Sequence, residues 1–422
     1  MSALSLAFYG DDFSGSTDVL EALAVHGVRA ALFLELPERE RLERRFPDLE
    51  AAGLAGSSRA MTPADMEQEL APALEGLGRL GARKVHYKIC STFDSSPEIG
   101  SIGRAIEIGR RLFGPEPVPL VVGAPALRRW CVFGNLFAAD GDGVSRLDRH
   151  STMSRHPVTP MDESDLRRIL QRQAPLRTAL VDVRAVGGPP EEFDRAVTAA
   201  RAERPDVVLF DVLEPAHLAP IGRFLWEEEG RFLVGSSGVE YALAAHWGRA
   251  RRTFAGAGRA DRILVLSGSC SPATDRQIAW ALERGFLGVR LPEDGRVEGR
   301  VIDALRSGRS VAVYTARGPA DPEIRDPRVE GPKLGRRLGE IARAAVREAG
   351  VRRIVAAGGD TSGRIARALG IEALEMAAPL APGSPLCRAR SEDSRVDGLE
   401  IAFKGGQVGR EDYFGRALRG GG

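Results

Sequence analysis

The sequence predicts an α/β protein of two domains, each a mostly parallel sheet covered by helices, with the active site in the cleft between them. Three observations carry the fold. Short apolar runs recur along the chain with longer helix-patterned stretches between them, and strands joined by helical crossovers lie parallel with both faces covered. The 422 residues exceed what one core normally holds. Residues 248–261 are basic, glycine-dotted and without apolar period, so they read as a linker between a domain of residues 1–247 and one of residues 262–422.

In the first domain the strand-like runs are residues 4–9, 30–34, 84–89, 119–122, 178–182, 207–210 and 232–234. In the second they are residues 263–266, 310–314, 353–357 and 399–404, again with helical patterns between. The closing residues 419–422, an arginine and three glycines, read as a frayed end.

Charge argues against a nucleic-acid partner. Lys and Arg number 59 against 58 Asp and Glu, a formal net charge of +1, so no whole-chain basic field draws nucleic acid, although a small anionic substrate remains open. Cysteines 90, 131, 270 and 387 lack the paired spacing of a zinc or redox motif and read as thiols of a reducing compartment. Residues 2–9 carry no basic leader, and no apolar stretch approaches the ~20 residues of a membrane span, so the chain reads as cytoplasmic, with no membrane partner.

The first chemical constellation is Asp11-Asp-Phe-Ser-Gly-Ser-Thr-Asp18, directly after the opening strand. Ligands of open α/β sheets bind beyond the carboxyl ends of strands, where Asp11 and Asp12 sit. Adjacent carboxylates in extended chain point in different directions and have different jobs. One is suited to take a proton from a substrate hydroxyl, while the other binds hydroxyls or caps the helix. Helix capping by Asp12, Ser14 or Ser16 alone would explain the same residues. A second constellation follows the strand at residues 84–89: Lys88 is a point charge for a carboxylate or phosphate, and Ser91, Thr92, Asp94, Ser95 and Ser96 offer hydroxyls and a carboxylate to a polyol. Arg155 and His156 add a cation and an imidazole ahead of Pro157 and Pro160.

Three glycine-rich turns mark the second domain. Gly358-Gly-Asp-Thr-Ser-Gly363 joins a strand to a helix, where crowded amides and the first helical turn hold phosphate, and Asp360 and Thr361 meet Mg²⁺ through water. Ser267-Gly-Ser-Cys-Ser271, followed by Pro272 at a helix start, has the same character, as do Gly405 and Gly406. No Gly-x-x-x-x-Gly-Lys-Ser/Thr motif occurs, and no Gly-x-Gly-x-x-Gly follows a strand, which removes P-loop NTPases and most support for a Rossmann dehydrogenase.

Together these motifs resemble the four-carbon acid sugar kinase family nearly end to end. Asp11 to Asp18 is similar to its Asp-Asp-Phe/Leu-Thr-Gly-Ala-x-Asp signature, with Ser14 for Thr and Ser16 for Ala. His156 to Met161, Gly235 to Gly238, Ser267 to Ser271, Gly358 to Gly363 and Lys404 to Gly409 resemble its further segments. One departure stands out. Members acting on linear tetronates read Lys-x-Asp-Ser-Thr-Leu-Arg-Gly-Asn, whereas this chain has Cys90 in place of that Asp and lacks the Arg-Gly-Asn, which points to an altered acid such as branched 3-oxo-isoapionate.

The resemblance implies an acid-sugar-binding N-terminal domain, a nucleotide-binding C-terminal domain and transfer of the γ-phosphoryl of MgATP to a terminal hydroxyl. It implies Asp12 as base with Lys88 in the catalytic machinery, and Asp11, Ser14, Ser91, Thr92, Arg155 and His156 on the substrate, the two aspartates being interchangeable. Ser267, Gly358, Gly359, Asp360, Thr361, Gly405 and Gly406 hold ATP, while Mg²⁺ has no dedicated protein ligands. Two alternatives stay open: an NAD-linked sugar-acid dehydrogenase and a nucleotide-binding regulatory module without turnover. A homodimer is also left open.

Overall fold

The computed structural model describes residues 4–156, 158–292, 296–319, 321 and 327–421, without the side chains of residues 327–332 and 360. It divides into two compact units. The first comprises Met1–Ala30 and Leu36–Arg252, the second Ala31–Glu35 and Thr253–Gly422.

Strands up to the end of the first unit are β1 (Leu6–Gly10), β2 (Ala30–Phe33), β3 (Ala51–Ala55), β4 (Lys84–Lys88), β5 (Val118–Val121), β6 (Arg129–Val132), β7 (Asn135–Asp140), β8 (Gly143–Arg146), β9 (Thr178–Val181), β10 (Val207–Phe210) and β11 (Phe232–Gly235). The main sheet of this unit runs β3-β1-β4-β11-β5-β10-β9, all parallel. Its strands are buried on both faces, with Leu6, Phe8, Val85, Leu120, Leu209 and Leu233 fully inside, as continuous apolar runs require.

Two features here escape the sequence reading. Strand β3 is Ala-Ala-Gly-Leu-Ala, without a β-branched residue. It is small because the Phe8 ring occupies the space where a Cβ on Gly53 would stand. Strands β6, β7 and β8 form a separate antiparallel sheet. Its first hairpin turns on Phe133 and Gly134, both with positive φ, 51° and 77°. Phenylalanine is a poor residue for that conformation. The Asp211 carboxylate holds it there, accepting from the Phe133 and Gly134 amides at 2.5 and 2.9 Å.

The second unit contains β12 (Leu264–Ser267), β13 (Leu287–Arg290), β14 (Val311–Tyr314), β15 (Arg353–Ala357), β16 (Ala373–Ala381), β17 (Ser384–Arg390) and β18 (Glu400–Lys404). Strands β13-β14-β12-β15-β18 are parallel; an antiparallel hairpin, β17 and β16, extends them, and β2 pairs antiparallel with β16 through Phe33 to Ala373 and Leu32 to Leu374. Ile263, Val265, Val355, Leu386 and Phe414 pack its core.

The stretch read as a linker is pinned by its backbone. The Arg252 amide donates to Val25 O at 2.7 Å in the first unit, and the Ala257 and Ala260 amides donate to Gly420 O and Leu418 O at 2.8 and 2.9 Å in the second. That pairing also corrects the expectation of a frayed end for residues 419–421, Gly422 lying outside the described residues. The helix Tyr413–Arg419 closes on Gly420 in the left-handed conformation, φ 89°, and a Cβ there would strike Gly258 O. No described helix is long and apolar enough to cross a membrane.

Candidate active site

In the first unit the carboxyl ends of β1, β4, β11 and β5 lie side by side, with Gly10 in register with Lys88, Lys88 with Gly235 and Gly235 with Val121. Asp11 and Asp12 follow Gly10 and are both buried. Asp12 is the N-cap of the helix Phe13–Ala24, with extended backbone (φ −143°, ψ 167°). Its Oδ1 accepts from the Gly15 amide at 2.5 Å, and its Oδ2 accepts from Ser14 Oγ at 2.8 Å and from the Arg59 guanidinium. Asp11 is differently placed. Its Oδ2 accepts the Cys90 amide at 3.1 Å, while Oδ1 is buried and has no hydrogen-bond partner among the described residues.

Two cations serve these carboxylates. Lys88 is 1% exposed and its Nζ lies 3.5 Å from Asp18 Oδ2. A Cβ on Gly15 would stand 3.1 Å from Lys88 Nζ and 3.4 Å from Asp11 Oδ1, so the helix's first turn, the lysine and the carboxylate meet at one point. Burial pushes the Asp11 carboxyl up to about 6, against the lowering pull of Arg59 and Lys88, with the Asp12 charge adding to the rise. Asp12 feels the same burial, but Arg59, Lys88 and the Ser14 and Gly15 hydrogen bonds hold it below the usual carboxylate range. Burial would lower Lys88, yet Asp18 and Asp11 raise it on balance. Adjacent residues thus differ: Asp12 is held as an anion, and the Asp11 carboxyl is raised to about 6.

The loop after β4 supplies the remaining predicted groups. Ser91 is half-buried; Thr92 is buried with its Oγ1 3.1 Å from Cys90 Sγ. Phe93 is fully buried with φ 56°, a strained setting for a bulky side chain. Asp94 accepts from Thr159 Oγ1, whose neighbour His156 takes the Thr159 amide on Nδ1 at 3.1 Å. That acceptance leaves the His156 proton on Nε2. Arg155 closes a short turn, Met153–Arg155, and is exposed; Pro157 lies outside the described residues.

In the second unit the three glycine-rich turns, widely separated in sequence, leave neighbouring strands. Ser267 at the end of β12 pairs with Ala357 at the end of β15, and Ala357 with Lys404 at the end of β18. The Gly268 amide donates to Ala357 O at 3.0 Å and the Gly358 amide to Lys404 O at 2.9 Å. Gly358, φ 116°, is the N-cap of the helix Gly359–Leu369 and offers no side chain to its first amides. Amides without a side-chain cap at a helix start suit an anion. A Cβ on Gly268 would overlap Thr361 Oγ1, and one on Gly406 would stand 2.8 Å from Ser269 Oγ, so the turns interlock. Ser267 is buried, Gly405 and Gly406 are half-buried, and the Asp360 side chain lies outside the described residues.

The sequence reading assigned no role to Arg59, Asp18 or Lys404. Arg59 escapes because it follows β3, the strand whose composition hides it. Lys404 is fully buried, donating to Thr274 Oγ1 at 2.9 Å and to Gly406 O at 3.2 Å, and burial alone pulls it down to about 7.

Fold and sites together define a two-domain α/β protein with a buried carboxylate–lysine centre in one unit and converging anion-type turns in the other. Residues 6–243 match the family model of a sugar-binding N-terminal domain and residues 264–414 that of a nucleotide-binding C-terminal domain. The chain belongs to the four-carbon acid sugar kinase family. It is 47% identical over 451 residues to the 3-oxo-isoapionate kinase of Paraburkholderia graminis, covering 99% of this chain and 95% of that one. It is 31% identical over 430 residues to the 3-oxo-tetronate kinase of Pseudomonas savastanoi pv. phaseolicola, covering 98% and 96%. A protein of Salmonella typhimurium LT2 shares the fold, with a TM-score of 0.79 over 98% of both chains at 22% identity.

Proposed function

We propose that this chain is an ATP-dependent kinase that phosphorylates a terminal hydroxyl of a small sugar acid, and that the acid is 3-oxo-isoapionate or a similarly branched one. The 47% identity to a 3-oxo-isoapionate kinase across 99% of the chain carries the reading. The departure from the linear-tetronate pattern at Cys90 and after Thr92 supports the branched substrate. A cytoplasmic setting, where ATP is supplied, goes with it.

In this mechanism Asp11 takes the hydroxyl proton as the oxygen attacks the γ-phosphorus. The new O–P bond forms in line with the breaking bond to the β-phosphate oxygen, and ADP departs. Of the two interchangeable aspartates, the geometry favours Asp11: its Oδ1 is uncommitted and it titrates near operating pH, whereas Asp12 is spent on the helix cap and Arg59. Lys88 acts through the carboxylates, keeping Asp11 ionisable in a buried place. Ser14, Ser91, Thr92 and His156 surround the acid, with Arg155 reaching it from the surface. Ser267, Gly358 to Thr361, Gly405 and Gly406 hold the triphosphate. The Ser267 and Thr361 hydroxyls would meet Mg²⁺ through water, and the ion, when bound with the nucleotide, would supply charge neutralisation for the transferring group.

A coupled ADP assay over 3-oxo-isoapionate, 3-oxo-tetronates, threonate and erythronate tests the proposal. ADP formation should depend on the acid, with kcat/KM for 3-oxo-isoapionate at least about tenfold above the linear acids, the discrimination one or two pocket contacts supply. ADP formed with none of them overturns the kinase reading, and a preference for a linear acid overturns the branched assignment alone. The nucleotide turns have their own prediction. Gly268→Ala drives a methyl into Thr361 Oγ1, so the KM for ATP should rise roughly tenfold while the KM for the acid stays nearly constant.

A further inference from the structure

We infer that Arg129 is the receptor for the substrate carboxylate and sets the preference for an acid over a neutral polyol. This rests on the kinase reading above.

Besides the exposed Arg155, three less exposed cations, Arg59, Lys88 and Arg129, come from segments that adjoin the strand ends of the first unit, and two of them are taken. Arg59 pairs with Asp12, and Lys88 with Asp18. Arg129 has no carboxylate partner among the described residues. Its Nη1 donates to the carbonyls of Leu127 and Arg128 at 3.2 and 3.0 Å, and its Nε is buried without a partner. Two backbone acceptors on one nitrogen fix the plane of the fork and leave the Nε–Nη2 edge, the edge that takes a carboxylate by two parallel hydrogen bonds.

The backbone sets this group over the strand ends. Arg129 begins β6 and exchanges both backbone hydrogen bonds with Ala124, at 2.9 and 3.2 Å, so it is tied three residues beyond the end of β5. That end, Val121, is in register with Gly235, itself in register with Lys88. Gly123 O packs where a Cβ on Gly238 would stand, at the start of the helix Gly238–His246, whose Glu240 meets His86 of β4 at 2.5 Å. Arg128, just before, is held left-handed at φ 57°, strain of the sort found where a functional group is being aimed. Burial pulls the Arg129 guanidinium below its ordinary range, opposed by Cys90 and Asp18, which places those two residues in its field. With a thiol at position 90 where the linear-tetronate pattern has a carboxylate, one anion fewer faces the fork, which suits it to a ligand.

The test compares 3-oxo-isoapionate with its carboxamide in wild type, Arg129→Gln and Arg129→Lys. For Arg129→Gln the KM of the acid should rise roughly 10- to 100-fold, as loss of charge-assisted hydrogen bonds implies, while kcat changes little and the carboxamide KM stays put. Arg129→Lys should keep part of the acid preference, and it carries the same test should the glutamine variant not fold. Equal losses on acid and amide, or no loss on the acid, overturn the inference and leave the kinase reading standing. A wild type that turns over no sugar acid fails the kinase reading, and this inference with it.

Discussion

Replacing Asp11 with asparagine is expected to lower kcat/KM for the acid substrate by about 10²- to 10⁴-fold, the range a positioned general base supplies. The unpartnered Oδ1 and the raised pKa are the reasons for placing the proton there. In the wild type, kcat/KM should decline as pH falls through about 6, because protonated Asp11 accepts nothing. The same shift has a stability side. A carboxyl raised from 3.8 to about 6 binds its proton more tightly in the folded chain, so the stability it gives is full below 3.8 and lost as pH rises through about 6. Asparagine carries no such loss, and the variant's Tm relative to wild type should climb between about pH 4 and pH 6 and level off above that. Activity within threefold of wild type, or an acid limb that does not move, would refute the assignment.

Lys88→Met should cost both folding and turnover. The lysine is 1% exposed, and its charge stands against Asp18, Asp11 and Asp12. Removing one partner of a buried ionic cluster leaves charge uncompensated, at about 3–5 kcal/mol. For a domain of this size that is a Tm fall of roughly 10 °C. The Asp11 carboxyl, losing a cation that lowers it, should titrate above 6 and carry the acid limb of any residual activity upward. Lys88→Met combined with Asp18→Asn should recover part of the stability and none of the activity. A single variant that melts with the wild type and keeps its pH limb would show that Lys88 is not the counter-charge.

Much of the architecture was legible because buried parallel strands read as continuous apolar runs and helices as longer patterns between them; β1, β4, β10 and β15 stand within one or two residues of their expected places. What escaped was composed against propensity for a local reason. β3 is small to admit Phe8, the β6–β7 hairpin turns on a phenylalanine that Asp211 restrains, and β16 contains Pro379 within an alanine-rich run. At the site, residues contiguous in sequence were visible: Asp11, Asp12, Ser14 and the three glycine turns. Arg59 and Arg129 were not, because each arrives from a separate strand whose existence the composition conceals, and a lone arginine has no periodicity to mark it. The difference in titration between Asp11 and Asp12 was also out of reach. It depends on which oxygen meets Gly15, Arg59 or Cys90, and no spacing encodes that.

Residues 31–35 place β2 in the second unit, so the chain passes between the units three times rather than once. A fragment begun at Thr253 would therefore be short of a strand. Ala373 and Leu374 would lose their partners Phe33 and Leu32, and Glu372 O the amide of Leu34. Bared strand backbone of that kind invites pairing with another molecule. During synthesis β2 emerges early and waits for more than three hundred residues before its mate exists, a long loop to close and a slow one. The C-terminal half is in this sense not a module that could be inherited, swapped or expressed by itself, and shuffling at the obvious junction would divide a sheet rather than separate two independent parts.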